Sequence, residues 1–260
     1  MFYKEVGHSQ EGAKEVTGLM DAGVFDGPKP VRLLLRLLTL ANLTEDSVVL
    51  DFFSGSGTTA HALMKYNVEQ NKRCKFIAVQ VPQETDQGGT AAQAGYPNIC
   101  EIGKERIRRA GKKIREEAGE AAVGQDFGFR CLRLDSSNMK DVYYEPEKLG
   151  QQDLFTQVDN VKQGRTAEDL LFQVMLDMGI PLSSKISERD IAGKKVFDVG
   201  EGFLFACFDS AVTEEVVTEI AKQKPQYAVL RDSSMANDSV ATNFEQIFAS
   251  YSPETERKVL

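Results

Sequence analysis

One stretch limits the fold of this chain more than any other: Val48-Val49-Leu50-Asp51-Phe52-Phe53-Ser54-Gly55-Ser56-Gly57-Thr58-Thr59-Ala60. The apolar, β-branched start reads as a buried strand, and such a run suits a parallel sheet covered on both faces. Gly55 and Gly57 permit a tight turn and a close approach of a ligand to the backbone. A helix from about 58 to 66 follows, then a polar turn at 67–73 and a second strand at 75–81 (KFIAVQV). Strand, helix and strand in such close succession predict a parallel, right-handed crossover. The ligand crevice of such a sheet lies where a strand ends and a helix begins, because the first amides of a helix have no internal partner.

Three ligands compete for this loop, against the plainer reading of an empty glycine turn. A nucleoside triphosphate needs a lysine in the loop for its β- and γ-phosphates, and none occurs between Asp51 and Met64. A dinucleotide fits Gly55-x-Gly57-x-x-Ala60, a weak pattern by itself. It also wants an acid at the end of the second strand, where this chain has Gln80. S-adenosylmethionine carries no phosphate, and its cationic sulfonium end, which bears an amino acid, suits a carboxylate at a strand tip. Asp51 stands at that tip.

The rest of the chain predicts an α/β protein in two parts. Residues 1–28 are polar, glycine-rich and aperiodic, and read as a loop or arm. Pro28-Lys29-Pro30 introduces a helix at about 30–42, with Leu33, Leu34, Leu37, Leu38 and Ala41 at helical spacing. Residues 82–97 read as a flexible loop, 98–119 as a charged helix and 127–134 as a third strand. The segment 136–163 is polar and irregular, so a boundary is placed after Asp135: a domain at 1–135 and a smaller α/β domain at 136–260. In the latter, helices are expected at 166–178, capped by Thr166 and Asp169, at 213–222 and at 243–250. Strands are expected at 195–199 and 203–208, joined by Gly200-Glu201-Gly202 as a hairpin, and at 227–230.

Composition narrows the class. A formal net charge of -8 argues against a general nucleic-acid binder, which carries a basic field. Cys74, Cys100, Cys131 and Cys207 form no CxxC pair, which argues against zinc and redox motifs and fits a reducing cytoplasm. No window reaches the ~20 apolar residues of a membrane span. His8 and His61 lack metal-ligand spacing, and a packed or surface role is expected for His61. The cations of helix 101–117 read as a solvated face interspersed with Glu101, Glu105, Glu116 and Glu117; phosphate contact is the competing reading. Asp135-Ser136-Ser137-Asn138 and Arg231-Asp232-Ser233-Ser234 read as turn or capping chemistry, against a polar loop at a cleft.

LDFFSGSGTTAHA resembles motif I of amino-methyltransferases in which motif I follows the catalytic motif, and the helix opened by Lys29-Pro30 resembles their motif X. From FDGPKP through KFIAVQVPQE to IGKERIRRAGKKI, the chain is similar to the modification subunit of type III restriction–modification systems. The tail phrases LRLDSSNM, AEDLLFQVMLDMGIPL, LFACFD and RDSSMANDSVATNFEQIF extend the resemblance over nearly all 260 residues, and ETERKVL resembles the family's natural end. The resemblance implies a partial Rossmann-like methyltransferase sheet binding S-adenosylmethionine. Asp51, Phe52, Phe53, Gly55, Ser56, Gly57, Thr58 and Thr59 would line the loop and the methionine end, and Lys29 and Pro30 would flank it. Gln80 stands where relatives place an acid on the ribose hydroxyls, a role an amide can share.

N6-adenine methylation needs a tetrapeptide such as Asp-Pro-Pro-Tyr, which holds the amino group and stacks on a flipped base. No two of the eight prolines here are adjacent. In the family that motif and the target-recognition segment lie upstream of motif X, so a chain starting here would start after both. The expectation is a chain without methyltransferase activity of its own: a cloned piece, a broken gene or half of a split enzyme. DNA would be engaged through the upstream half. The implied partners are the restriction subunit, which the family's tail contacts, and a second copy or a partner half-chain. The competing reading is a non-catalytic assembly module that docks restriction or modification subunits.

Overall fold

The computed structural model describes residues 7–140 and 160–260. Within these the chain divides into two compact units, Met1–Leu132 and Arg133–Leu260, both of mixed α/β structure. Residues 1–6 of the expected arm, and 141–159 of the expected irregular segment, lie outside the described residues.

The first unit is built on two parallel strands, β1 (Val48–Asp51) and β2 (Lys75–Ala78), in the register Val48 to Lys75 through Asp51 to Ala78. Helix α1 spans Ser9–Thr17 and α2 spans Val31–Leu40. Between the strands runs α3 (Thr58–Gln70), and after β2 come the short α4 (Thr90–Gln93) and the long α5 (Ile99–Ala118). Val49 and Phe76 pack with Val31, Leu38, Ala62, Leu63 and Tyr66. On the far side of α3, Ala60 and Met64 pack with Ile107, Ala110 and Ile114 of α5.

Four sequence expectations need correction here. The sheet is not covered on both faces: Val48, Leu50 and Ile77 are each more than half exposed. The alternation that buries Val49 and Phe76 turns these residues the other way, where no helix among the described residues of this unit covers them. The entry region is not wholly a loop. Gly12 of α1 is buried because the chain at Pro28 and Lys29 passes directly over it, where a Cβ would run into the Pro28 carbonyl. No strand forms at 127–134; Phe127 is spent on the α3–α5 cluster, with the Arg115 guanidinium over its ring at 5.1 Å. Finally, α3 continues into the expected polar turn and ends at Gln70, so the turn is shorter than expected. Its buried Asn67 both donates to the Cys74 carbonyl (2.8 Å) and accepts from the Cys74 amide (3.1 Å), which locks the start of β2.

The second unit carries a five-stranded sheet in the order β3 (Ile186–Ile191), β4 (Lys194–Val199), β5 (Leu204–Cys207), β6 (Tyr227–Leu230), β7 (Glu256–Val259). The first three strands pair antiparallel, and β5, β6 and β7 pair parallel. Two crossovers supply α7 (Glu214–Lys222) and α8 (Asp238–Tyr251), while α6 (Ala167–Asp177) precedes the sheet. Side-chain alternation sorts the core. Val196, Phe205, Cys207, Ala228 and Leu230 face α7 and α8, and Phe197, Val199, Leu204, Ala206 and Val229 face α6. The result is a three-layer arrangement, and the four residues of β5 are all buried. Thr166 and Asp169 form a full capping box on α6, and the turn at Gly200-Glu201-Gly202 joins β4 to β5. The outer strands β3 and β7 are polar, which hides them from period-two reading. Burial separates the two sheets in energetic terms. Phe205→Ala is expected to cost about 3–5 kcal/mol, whereas Leu50→Ser on the bare face costs less than about 0.5 kcal/mol. Urea denaturation of each variant measures both.

Candidate functional site

The glycine loop connects β1 to α3, and its shape follows from a chain of short bonds. Asp51, partly buried at the end of β1, accepts from the Phe53 amide through Oδ1 (3.2 Å) and from the Thr59 hydroxyl through Oδ2 (2.5 Å). The carboxylate therefore ties the strand end to the first turn of the following helix. The Ser54 amide donates to the Val79 carbonyl (3.1 Å), and the Gly57 amide donates to the Ser54 carbonyl (2.8 Å). Gly55 and Gly57 sit at φ of +51° and +76°, in the left-handed region that glycine adopts without strain.

Gln80 takes part directly. Its Oε1 accepts from the Gly55 amide (2.8 Å), and its Nε2 donates to the Val81 carbonyl (3.1 Å). The amide thus fastens the loop to the segment after β2. Phe52 and Phe53 stand out from the surface, 63% and 77% exposed, with ring centroids 5.1 Å apart. Thr59 is partly buried and Thr58 and Ser56 are buried. Pro30 is buried at the start of α2 and Lys29 is exposed. The structure brings Asp51, Gly55, Ser56, Gly57, Thr58, Thr59 and Gln80 into one bonded cluster. Among the described residues no hydrogen bond joins Lys29 to it, and Pro30 enters indirectly: the Val31 amide beside it donates to Glu15 Oε2 (2.8 Å).

The loop rests on α5, a support that sequence reasoning missed. Arg106, expected among the cations of a solvated face, is fully buried. Its Nη1 donates to Ser56 Oγ (2.6 Å) and to Thr58 Oγ1 (2.7 Å). Gly103 lets the loop approach the helix, since a Cβ there would sit 3.0 Å from the Gly55 carbonyl oxygen. Ile107 closes the bed: a Cβ on Gly57 would sit 3.0 Å from its Cγ1. The signal was present as a lone cation in the row Ile102, Arg106, Ala110, Ile114, at the spacing of the buried stripe. The remaining charges of α5 do behave as a solvated face, with Lys104–Glu101, Arg109–Glu105, Lys112–Glu116 and Lys113–Glu117 pairs. Such exposed pairs add little stability.

Burial sets the protonation states around this bed. Desolvation, reinforced by the positive charge of Arg106, pushes the His61 pKa down to about 3. The imidazole is therefore neutral near pH 7, and its Nδ1 is buried without a hydrogen-bond partner among the described residues. Desolvation also lowers Arg106 to about 10, partly offset by the field of Glu15, and raises the Glu15 carboxyl. The turns at Asp135–Asn138 and Arg231–Ser234 carry local bonds, with the Ser136 amide donating to Asp135 Oδ1 (2.7 Å) and the Ser234 amide to the Arg231 carbonyl (3.0 Å). Distant bonds anchor them as well: Asn138 Nδ2 donates to the Asp169 carbonyl (2.8 Å), and Ser234 Oγ donates to the Phe208 carbonyl (3.3 Å).

A partly buried carboxylate at a strand tip, a glycine bend without lysine and an exposed aromatic pair make a surface suited to a cationic, aromatic-bearing small molecule. Residues 2–110 match the DNA methylase family. This segment is similar to DNA methylases. The match encloses the whole loop and its bed on α5. The chain is 43% identical, over 51% of its length, to the type III restriction-modification enzyme StyLTI Mod subunit of Salmonella typhimurium. It is 37% identical, again over 51% of its length, to the EcoPI Mod subunit of Escherichia phage P1. The chain covers only 20% of the length of each of these two relatives. It is also 28% identical to the type II methyltransferase M.KpnI of Klebsiella pneumoniae, over 38% of this chain and 24% of that protein. No helix among the described residues is long and apolar enough to cross a membrane.

The His61 environment in the first unit makes a pH prediction. The folded pKa lies below the ordinary 6.5, so the unfolded chain takes up a proton first as pH falls. The associated stability is complete above 6.5 and drains toward 3, by at most about 1.4 kcal/mol per pH unit. Urea midpoints are expected to drop between pH 6.5 and 4.5, and His61→Gln is expected to flatten that slope.

Proposed function

We propose that the first unit binds S-adenosylmethionine at the glycine loop, as part of a DNA adenine-N6 methyltransferase of the type III modification kind. The observation that carries this reading is the Asp51 carboxylate, fixed at the strand tip by Phe53 and Thr59 beside a loop without lysine. Its negative charge faces the end of the loop where a sulfonium and an ammonium group would be held. The exposed rings of Phe52 and Phe53 supply an apolar wall for the cofactor, and backbone amides at the start of α3 supply donors for its carboxylate. Gln80 would reach a ribose hydroxyl through whichever amide hydrogen the loop leaves free. Lys29 and Pro30 would flank the methionine end. When bound, the cofactor supplies the methyl group; the residues of this chain orient it and keep the loop closed.

The match to a DNA methylase and to Mod subunits supports the reaction class. Transfer to adenine would require the catalytic tetrapeptide from another segment, because no two prolines are adjacent here. The two strands of the first unit would then be part of a larger Rossmann-like sheet, with residues 1–135 serving the cofactor and 136–260 serving assembly with a restriction subunit or a second modification chain. A second reading is favoured by one observation: the exposed apolar face of Val48, Leu50 and Ile77 suits association whether or not a cofactor is held.

Calorimetry separates the two. The cofactor reading predicts one-to-one binding of S-adenosylmethionine, weakened at least tenfold by Asp51→Ala, and no binding of NAD. Absence of S-adenosylmethionine binding leaves the assembly reading. Tritiated methyl transfer to DNA by the 260-residue chain is expected at background, and turnover above it would contradict the proposed need for a second segment.

A further inference from the structure

Arg106 is placed where a charge is costly. Its side chain has no exposure, and burying a guanidinium costs several kcal/mol unless its donors are well paired. Only Nη1 is paired. Nε and Nη2 have no hydrogen-bond partner among the described residues, although an arginine fork normally uses both. The two bonds that Arg106 does make go to Ser56 and Thr58, which are 2% and 6% exposed and lie on either side of Gly57. Among the described residues no other side chain holds both hydroxyls, and their mutual contact is long, at 3.4 Å. A methionine of similar length would fill the same space at lower desolvation cost. A charge retained in the core for two neutral bonds, both on one loop, serves the conformation of that loop rather than the stability of the core.

We infer that Arg106 is a positioning residue for the cofactor loop: its guanidinium holds Ser56 and Thr58 from beneath, so that Gly55–Gly57 keeps its bend before any ligand arrives. This rests on the cofactor reading of the loop but adds a residue from a helix that the loop motif does not include. Glu15 completes the device. Its field favours the Arg106 charge, and the same carboxylate accepts the Val31 amide at the start of α2. The glycine loop and the Lys29-Pro30 corner are thereby referred to two opposite charges, the buried Arg106 and the partly buried Glu15. A preformed loop binds more tightly because less ordering remains to be done on association.

The test compares Arg106→Met, Arg106→Lys and, as a core control from the same helix, Ile114→Ala, all in the 260-residue chain. Three quantities are read: Tm, hydrogen exchange of the amides at Ser54–Thr58, and the Kd for S-adenosylmethionine. Arg106→Met is expected to keep the wild-type Tm or exceed it, since apolar replacement of a buried charge is often neutral or stabilising. It should at the same time speed loop exchange and raise Kd at least tenfold. Arg106→Lys, which keeps the charge but reaches with one ammonium, should fall between, and it carries the comparison should Arg106→Met not fold. Ile114→Ala should lower Tm while leaving loop exchange and Kd within twofold of wild type. Unchanged loop exchange in both Arg106 variants overturns the inference, as does a fall in Tm matching the control with Kd unaltered. Failure of the wild-type chain to bind S-adenosylmethionine would remove the cofactor reading alone, because loop exchange still decides the role of Arg106.

Discussion

The seating of the glycine loop on α5 is the contact from which the organisation of the first unit follows. Gly103 clears the space, Ile107 walls it, and Arg106 bonds the two hydroxyls within it. Above this bed the loop is closed by Asp51 and Gln80, one at the end of each strand neighbourhood. The bend is therefore held from two sides by side chains before any ligand is considered. Removing the support would free the backbone at two left-handed residues, where the unfolded chain has most to gain in freedom.

The same contact explains how so small a sheet persists. Two strands alone are marginal in water. Here α2, α3 and α5 supply the apolar cover, with Asn67 clamping β2 and the Val31 start of α2 bonded to α1 through Glu15. The far face carries Val48, Leu50 and Ile77 in solvent. The second unit solves its burial problem within itself, through a sheet with helices on both faces.

Much of this was legible in the sequence, for physical reasons that can be traced. The strand, glycine loop and helix at 48–60 were readable because each local signal agreed with the next. The Thr166 cap and the glycine hairpin at 200–202 were readable because both are short-range chemistry. What escaped depended on distant partners. Whether Leu50 is covered depends on layers outside its own element, and the β-branched pattern cannot report that. Strands β3 and β7 escaped because edge strands carry polar residues such as Glu188, Arg189 and Arg257. Phe127 and Phe129 mimicked a strand by alternation, yet their rings are used on α5, under Arg115 and Arg108. Arg106 was hidden by its charged neighbours; only its place in the Ile102–Ile114 row marked it. Gln80 was read as a ligand contact, and its bond to the Gly55 amide, a loop-holding role, could not be seen without the fold.

The central claim is that a preformed bend between Asp51 and Thr59 receives S-adenosylmethionine. Amide chemical shifts of the 260-residue chain, followed while S-adenosylmethionine is titrated, test it most directly. The account predicts saturable shifts concentrated at Phe52–Thr59 and Gln80, with the second unit unmoved. Shifts absent throughout, or centred on the sheet of residues 186–259, would contradict it.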